Sequence, residues 1–285
     1  MRILRDGKKR KDTPVRFITE GTGRVGLRLS EICAERRRHP IMKHIKAINP
    51  FQRMKKPRTA VADRKLPEYT KHEETVNMIT HIIGSVFGLT ALVLCAVFAS
   101  LRRNPATIVT GVLYGFSLIT VYVVSSVYHG LNPVHAGLGK RILQVIDHCD
   151  IYGLIVGSFA PIAMTGLRVY SPVKAWVIFS VVCAASVIGL VFTAIDFNKF
   201  GLISYSAYFI AGWSVLMTIK DIRTVFSTGL TTLLIVGGIV YTAGMVFFVL
   251  EMRHKKYCHS VFHLFILLGS VLHFVGIFKY CILPF

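Results

Sequence analysis

Long apolar blocks, separated by short polar joints, fill the chain after residue 75. Roughly 20 apolar residues in a helix cross about 30 Å of hydrocarbon, so each block is long enough to span a membrane. The predicted spans cover residues 76–101, 107–129, 142–166, 175–195, 201–219, 229–250 and 258–279. The pattern therefore predicts an all-α fold, an integral membrane bundle of seven transmembrane helices.

Residues 1–74 differ from the rest of the chain because they are rich in charge. They hold 21 Lys and Arg against 9 Asp and Glu, so 12 of the 20 net positive charges lie before the first span. A basic segment joined directly to a membrane span is typical of a cytoplasmic flank. We therefore expect a basic arm (1–74) with a cytoplasmic amino terminus. A seven-helix membrane domain (75–285) follows it, with the carboxyl terminus outside.

The charge of the arm predicts contact with anionic lipids of the inner leaflet, and no nucleic acid partner. Ile41, Ile45 and Ile48 alternate with basic residues, which favours a short interfacial helix ending at Asn49 and Pro50. A disordered tail is the alternative. The sequence gives no sign of an oligomeric state.

Polar residues gather at the predicted cytoplasmic ends of four spans. His129 closes the second span, Asp147 opens the third, and His259 and His263 open the seventh. The first span brings Glu73, Glu74, Asn77 and His81 to the same depth. Imidazoles and carboxylates are costly beside hydrocarbon unless partners hold them, so this clustering indicates a functional site.

His259 and His263 are one helical turn apart, on one helix face, a spacing with which two imidazoles bind a single metal ion. Ser125 precedes His129 by one turn and shares its face. Three neutral imidazoles plus one exchangeable position would form a catalytic type of zinc shell. In such a shell Asp147 is the natural general base, hydrogen-bonded to the water on the metal.

Each histidine has an alternative, structural interpretation. It would be a helix-end residue whose side chain reaches the membrane interface and contacts a carbonyl or a carboxylate. The second-tier site candidates are His81, His148, Asp150, Glu73 and Asn77. Asp150 competes with Asp147 for the role of base, because three residues separate them on a helix.

Other polar residues receive structural interpretations. His273 lies about 21 Å along the helix axis from His259, too far to share its ion, so we expect it to be packed and hydrogen-bonded. Asp196, Asp221 and Glu251 occur at span ends, where solvation is the default expectation.

Four stretches of this chain resemble the hemolysin III group of the progestin and adipoQ receptor superfamily. They are "EETVNMITHIIG" (73–84), "SSVYH" (125–129), "IDHCDIYGLIVGSFAP" (146–161) and "HSVFHLFILLGSVLHF" (259–274). The ordered combination of S-x-x-x-H, a following Asp and a late H-x-x-x-H is specific, and the stretches run from the first span to the last. The long basic arm departs from the short amino terminus expected of bacterial members.

The resemblance implies a seven-helix bundle in a bacterial plasma membrane, with zinc bound by His129, His259 and His263. It also implies that Asp147 contacts the water on the metal and that Ser125 lies close by. Relatives in the superfamily include adiponectin receptors, and a wider grouping includes alkaline ceramidases.

Two functions follow as expectations. The first is a zinc-dependent hydrolase of a membrane lipid, with a lipid amide such as a ceramide as the substrate class. The alternative is a non-catalytic membrane protein, either a cytolysin or a ligand-responsive receptor, in which zinc ties the helices together.

Overall fold

The structure, a computed structural model, describes residues 50–251 and 255–283, and throughout those residues the regular structure is helical. In chain order the helices are α1 (Pro50–Met54), α2 (Lys71–Leu101), α3 (Pro105–Gly130), α4 (Pro133–Pro161), α5 (Arg168–Tyr170), α6 (Pro172–Trp213), α7 (Ile219–Val225), α8 (Thr228–Glu251) and α9 (Cys258–Ile277). Short turns of other helical types are Val61–Asp63, Ile162–Leu167, Ser214–Thr218 and Phe278–Ile282. The interfacial helix predicted around residues 41–48 lies outside the described residues.

Six helical elements in the described part of the chain are long and apolar enough to cross a membrane. They are Lys71–Leu101, Pro105–Gly130, Gly137–Tyr170, Pro172–Val225, Thr228–Glu251 and Cys258–Ile282. The prediction of an all-α integral membrane protein is confirmed. The predicted fourth and fifth spans both lie in the one element Pro172–Val225, which is 54 residues long.

That element folds back on itself. The backbone leaves helical geometry at Asp196, with φ −171° and ψ 94°. The Thr193 hydroxyl donates to Ser204 Oγ at 2.9 Å, whereas 11 residues of continuous helix would separate the two by about 16 Å. At the far end, Lys174 Nζ lies 3.0 Å from an Asp221 carboxylate oxygen. Residues 172–195 and 201–225 are therefore two antiparallel arms of a helical hairpin.

The start of α2 is fixed by its own capping residues. The Thr70 hydroxyl accepts from Glu73 N, and Glu73 Oε2 accepts from Thr70 N at 2.9 Å, so both residues satisfy free N–H groups of the first turn. Glu73 Oε1 accepts from Tyr257 N at 2.8 Å, and Tyr257, with φ +58°, is the residue before α9. The capping group of one helix therefore also ties down the start of another, at the end of the bundle where the histidines lie.

Small residues let α2 and α3 approach closely. The buried face of α2 includes Gly84, Gly88, Ala91, Cys95 and Ala99. On the facing helix, a Cβ added at Gly115 would come 2.5 Å from Leu92 Cα, a backbone atom that cannot move aside on its own. Backbone contact of this kind is how helices gain packing energy in lipid, where the hydrophobic effect does not drive association.

We expect Gly115→Ala to lower the free energy of unfolding by about 1–3 kcal/mol, because the added methyl group overpacks the contact between α2 and α3. Gly153→Ala is the matched control, since a Cβ there meets nothing within 4 Å. Thermal unfolding of the two purified variants in detergent checks this. Equal midpoints for the two variants would contradict the close-packing argument.

Candidate metal centre

Three histidines from two helices meet at one end of the bundle. His129 lies in the last turn of α3, and His259 and His263 lie in the first turns of α9. One ring nitrogen from each lies within 4.8 Å of the others, and all three residues are buried. The two Nε2 atoms of His129 and His259 are 3.2 Å apart. The structure thus brings together the three residues that the sequence predicted as metal ligands.

A carboxylate stands behind two of these rings. His129 Nδ1 lies 2.6 Å from Glu74 Oε2, and His259 Nδ1 lies 2.7 Å from Glu251 Oε2. Carboxylates accept hydrogen bonds, so in the neutral imidazoles each Nδ1 carries the ring hydrogen and each Nε2 keeps a free lone pair. Carboxylate–histidine pairs of this kind orient the imidazoles that bind zinc.

The facing lone pairs of His129 and His259 repel each other unless a cation lies between them. A proton would bridge only two nitrogens, whereas a third nitrogen, from His263, is also within 4.8 Å. Two ligand nitrogens of tetrahedral zinc, with bonds of 2.0–2.1 Å, are about 3.3 Å apart. The observed separation of 3.2 Å is close to that value, so the donor set fits a zinc ion.

Glu74 is itself held by a buried lysine. Lys140 Nζ donates to Glu74 Oε1 at 2.6 Å and to the Leu131 carbonyl at 2.7 Å, and Lys140 is only 2% exposed. Both carboxylate oxygens therefore have a partner, one the lysine and the other His129. A buried charge persists only when it is paired, so this lysine and glutamate fix each other and the histidine.

The roles of the two carboxylates behind the histidines do not follow from the sequence. Glu74 has no predicted role, and Glu251 is predicted to be solvated; the Glu251 carboxylate instead accepts from His259 and from the Tyr69 hydroxyl. The sequence signal available for Glu74 is the charge itself, in the first turn of an otherwise apolar helix. For Asp196 the expectation of solvation is also wrong, because Asp196 is buried and accepts from Thr59 N at 2.9 Å.

The predicted base and hydroxyl lie beside the cluster but outside the donor set. Asp147, on α4, borders a small cavity together with His259 and His148. Ser125 is buried one turn before His129, and its hydroxyl interacts with the Asp147 carboxylate.

The second-tier candidates divide between the site and the scaffold. His81 packs its ring on that of His263, with centroids 3.8 Å apart, and neither of its nitrogens has a partner in the described chain. Asn77 Oδ1 accepts from Ser260 Oγ at 2.6 Å, next to His259.

The remaining second-tier candidates do not join the donor set. His148 Nδ1 contacts the Gln144 carbonyl of its own helix at 2.7 Å, and its ring borders the small cavity. Glu73 serves as a capping residue. Asp150 is absent from the lining of that cavity, which places Asp147 ahead of it as the candidate base.

Two cavities of different character adjoin the site. The larger, of about 730 Å³, is here called the polar cavity because charged residues border it, and it includes His259 and Glu251 in its wall. An apolar cavity of about 140 Å³ lies between α4, the second hairpin arm, α8 and α9. The small cavity that holds Asp147 shares His148, Phe197, Phe248 and His259 with the polar one, and Ile151, Tyr208, Met245 and Phe262 with the apolar one. The site therefore lies at a boundary between polar and apolar space.

Fold and site together define a multi-pass helical membrane protein with a buried histidine cluster at one end of the bundle. The family model for haemolysin-III related proteins matches residues 69–274. The chain belongs to that family, which confirms the resemblance drawn from its motifs.

Similar proteins come from bacteria and from mammals. Hemolysin-3 of Bacillus cereus is 29% identical over 220 residues, covering 77% of this chain and 96% of that protein. The Hemolysin-3 homolog of Bacillus subtilis (strain 168) is 30% identical over 218 residues, covering 76% and 99%. Human monocyte to macrophage differentiation factor is 26% identical over 237 residues, covering 81% and 93%.

We expect purified protein to bind about one zinc ion per chain and His263→Gln to lose it, because the variant lacks one of three imidazole ligands. His273→Gln is the matched control: it is on the same helix, but its Nε2 contacts the Leu234 carbonyl at 3.2 Å rather than the cluster. Elemental analysis of detergent-purified samples measures the stoichiometry. Equal zinc content in the two variants would rule out the three-histidine site.

Proposed function

We propose that this protein is a zinc-dependent hydrolase of a membrane lipid amide of the ceramide type. The observation that carries the proposal is the His129–His259 pair, whose Nε2 atoms lie 3.2 Å apart and whose Nδ1 atoms each contact a carboxylate. Its position at the boundary of a polar and an apolar cavity supports an amphipathic substrate.

Each residue of the site has a part in this reaction. Zinc held by His129, His259 and His263 would supply a Lewis acid that makes water more acidic and stabilises negative charge on a carbonyl oxygen. The carboxylate of Asp147, beside His259 in the small cavity, accepts the proton of the attacking water. It returns that proton to the leaving amine when the carbon–nitrogen bond breaks. The buried Ser125 hydroxyl, which interacts with the Asp147 carboxylate, orients that carboxylate or the water.

The two cavities suggest how a lipid amide lies in the site. A short section of an acyl chain fits the apolar cavity, since a cavity of similar volume holds a molecule the size of benzene; its wall includes Leu154, Phe159 and Ile266. The polar end of the lipid then lies in the larger cavity, which is bordered by charged residues such as Lys65 and Lys256. The amide lies between them, at Asp147. An apolar ligand gains most of its affinity from such burial, while a few polar groups fix its orientation.

The same proposal includes seven membrane crossings, with the histidine cluster on the cytoplasmic side. The hairpin contributes two crossings, since each arm has about the length that a bilayer requires. The basic residues that precede α2 support a cytoplasmic amino terminus, and seven crossings place the carboxyl terminus outside. The Bacillus relatives favour the plasma membrane of a bacterium.

A cysteine-labelling experiment tests the seven crossings. In a cysteine-free background, Asn198→Cys at the hairpin tip should react with a membrane-impermeant maleimide only after cells are permeabilised. Ser171→Cys, at the opposite end of the first arm, should react in intact cells. The unsubstituted cysteine-free protein is the control, and labelling of both positions from the same side would contradict the hairpin crossing the membrane twice.

We expect Asp147→Asn to keep its zinc and to lose hydrolysis of ceramide-type lipids by about 10²–10⁴-fold, because the amide cannot accept the proton. Asp150→Asn, one helical turn away and outside the cavity, should retain activity. Release of fatty acid from a panel of lipid amides and esters, measured by mass spectrometry on zinc-loaded protein, checks both variants.

Absence of any product from the wild-type protein across the panel would contradict the hydrolase. That result would support the second candidate function, which is a non-catalytic protein in which zinc ties α3 to α9. The name of the Bacillus cereus relative favours a cytolysin version. Leakage of a dye from liposomes identifies that version, whereas loss of thermal stability in His263→Gln without leakage identifies structural zinc.

A further inference from the structure

Residues 57–70, here called the strap, run across the end of the bundle that holds the histidines. The strap is docked at the hairpin tip: Thr59 N donates to Asp196 Oδ2 at 2.9 Å. Arg64 Nη2 donates to the carbonyls of Ala194 and Ile195, at 3.2 and 2.5 Å. These are carbonyls at the end of a helical arm, which lack partners within the helix. Arg64 is only 5% exposed, so the docking is part of the packed structure.

A second contact holds the strap to α4, where Arg141 Nε donates to the Arg64 carbonyl at 2.8 Å. Tyr69 lies near the end of the strap, immediately before Thr70, which caps α2. Leu66, Pro67 and Tyr69 form part of the wall of the polar cavity. The strap is therefore held before these residues by the contacts of Arg64, and after them by Thr70 at the start of α2.

Tyr69 lies directly on the histidine cluster. Its ring centroid is 5.2 Å from that of His259 and 5.8 Å from that of His129. Its hydroxyl donates a hydrogen bond to Glu251 Oε1. The other oxygen of the same carboxylate, Oε2, accepts from His259 Nδ1 at 2.7 Å. Tyr69, Glu251 and His259 thus form a chain of hydrogen bonds that ends at Nδ1 of a candidate ligand ring.

We propose that Tyr69 is a positioning residue for the bound metal: it fixes the Glu251 carboxylate that orients His259, and the docked strap delivers it to the site. This inference rests on the proposed zinc site and adds to it a residue from outside the helices. It assigns the strap a function in metal binding.

The physical reason lies in the two oxygens of Glu251. A carboxylate held at one oxygen alone can rotate about its terminal torsion, which is broad. The Tyr69 hydrogen bond removes that freedom, so the carboxylate and the His259 ring keep one orientation. A tyrosine hydroxyl is protonated at neutral pH, so Tyr69 donates to the Glu251 carboxylate. Outer partners of this kind typically change metal affinity by about 10–100-fold.

The test is Tyr69→Phe, which removes the hydroxyl and keeps the ring against the histidines. We expect its zinc affinity, measured by competition with a chelating dye, to fall about tenfold. The thermal midpoint of the zinc-free protein should not change, because the packing is retained. Tyr170→Phe is the matched control, since Tyr170 is 55% exposed at the end of α5 and should leave zinc affinity unchanged.

A double-variant cycle separates positioning from packing. If Tyr69 acts through Glu251, Tyr69→Phe in a Glu251→Gln background should cause little further loss of zinc affinity. Arg64→Ala, which releases the strap from the hairpin tip, should also weaken zinc binding, and Tyr69→Phe should add little to it. Additive losses in the Glu251→Gln background would overturn the proposal.

Two further outcomes also overturn it. One is wild-type zinc affinity in Tyr69→Phe while His263→Gln loses zinc, which leaves the metal site standing without Tyr69. The other is a fall in the thermal midpoint of zinc-free Tyr69→Phe equal to that of the zinc-loaded variant, which makes the tyrosine a packing residue. Failure of the proposed metal site itself has a different signature, with zinc content unchanged in His263→Gln.

Discussion

Two imidazoles face each other in a buried site with their Nε2 atoms 3.2 Å apart, and this is the constraint on which the structure depends. The Nδ1 atom of each ring contacts a carboxylate, so the Nε2 lone pairs of the neutral rings face each other in a buried site. Such an arrangement is unfavourable on its own and favourable around a cation. Four helices contribute residues to this site: α2 provides Glu74, α8 provides Glu251, and α3 and α9 provide the histidines.

The helix ends at this side of the bundle are consequently tied together by polar contacts, whereas the rest of the bundle is held by close apolar packing. Lys140 and Glu74 fix one another beside His129, and Glu73 links the caps of α2 and α9. Small residues between α2 and α3 allow backbone approach deeper in the membrane. The polar end thus defines chemistry and the apolar part supplies rigidity, which suits a site that needs fixed ligands.

Much of this was accessible from sequence. Span length predicted the helices, and the turn spacing of His259 and His263 predicted that two imidazoles share a face. The third histidine followed from the depth of span ends, and the structure brings His129 to the other two. The carboxylate partners could not be predicted, because Glu74 and Glu251 lie on different helices from the rings they contact, so no helical spacing relates them. Solvation was the wrong expectation for Glu251 for the same reason.

The sequence by itself determined what depends on neighbours along the chain: helices, their caps, the family motifs and the facing of residues one turn apart. Tertiary structure alone decided what depends on contacts between distant segments. The chain reverses direction at Asp196. Tyr69 donates a hydrogen bond to Glu251, 182 residues away, and Lys140 forms a salt bridge with Glu74. Local periodicity carries no information about such pairs, because which polar helix ends meet is set by how the apolar faces pack between them.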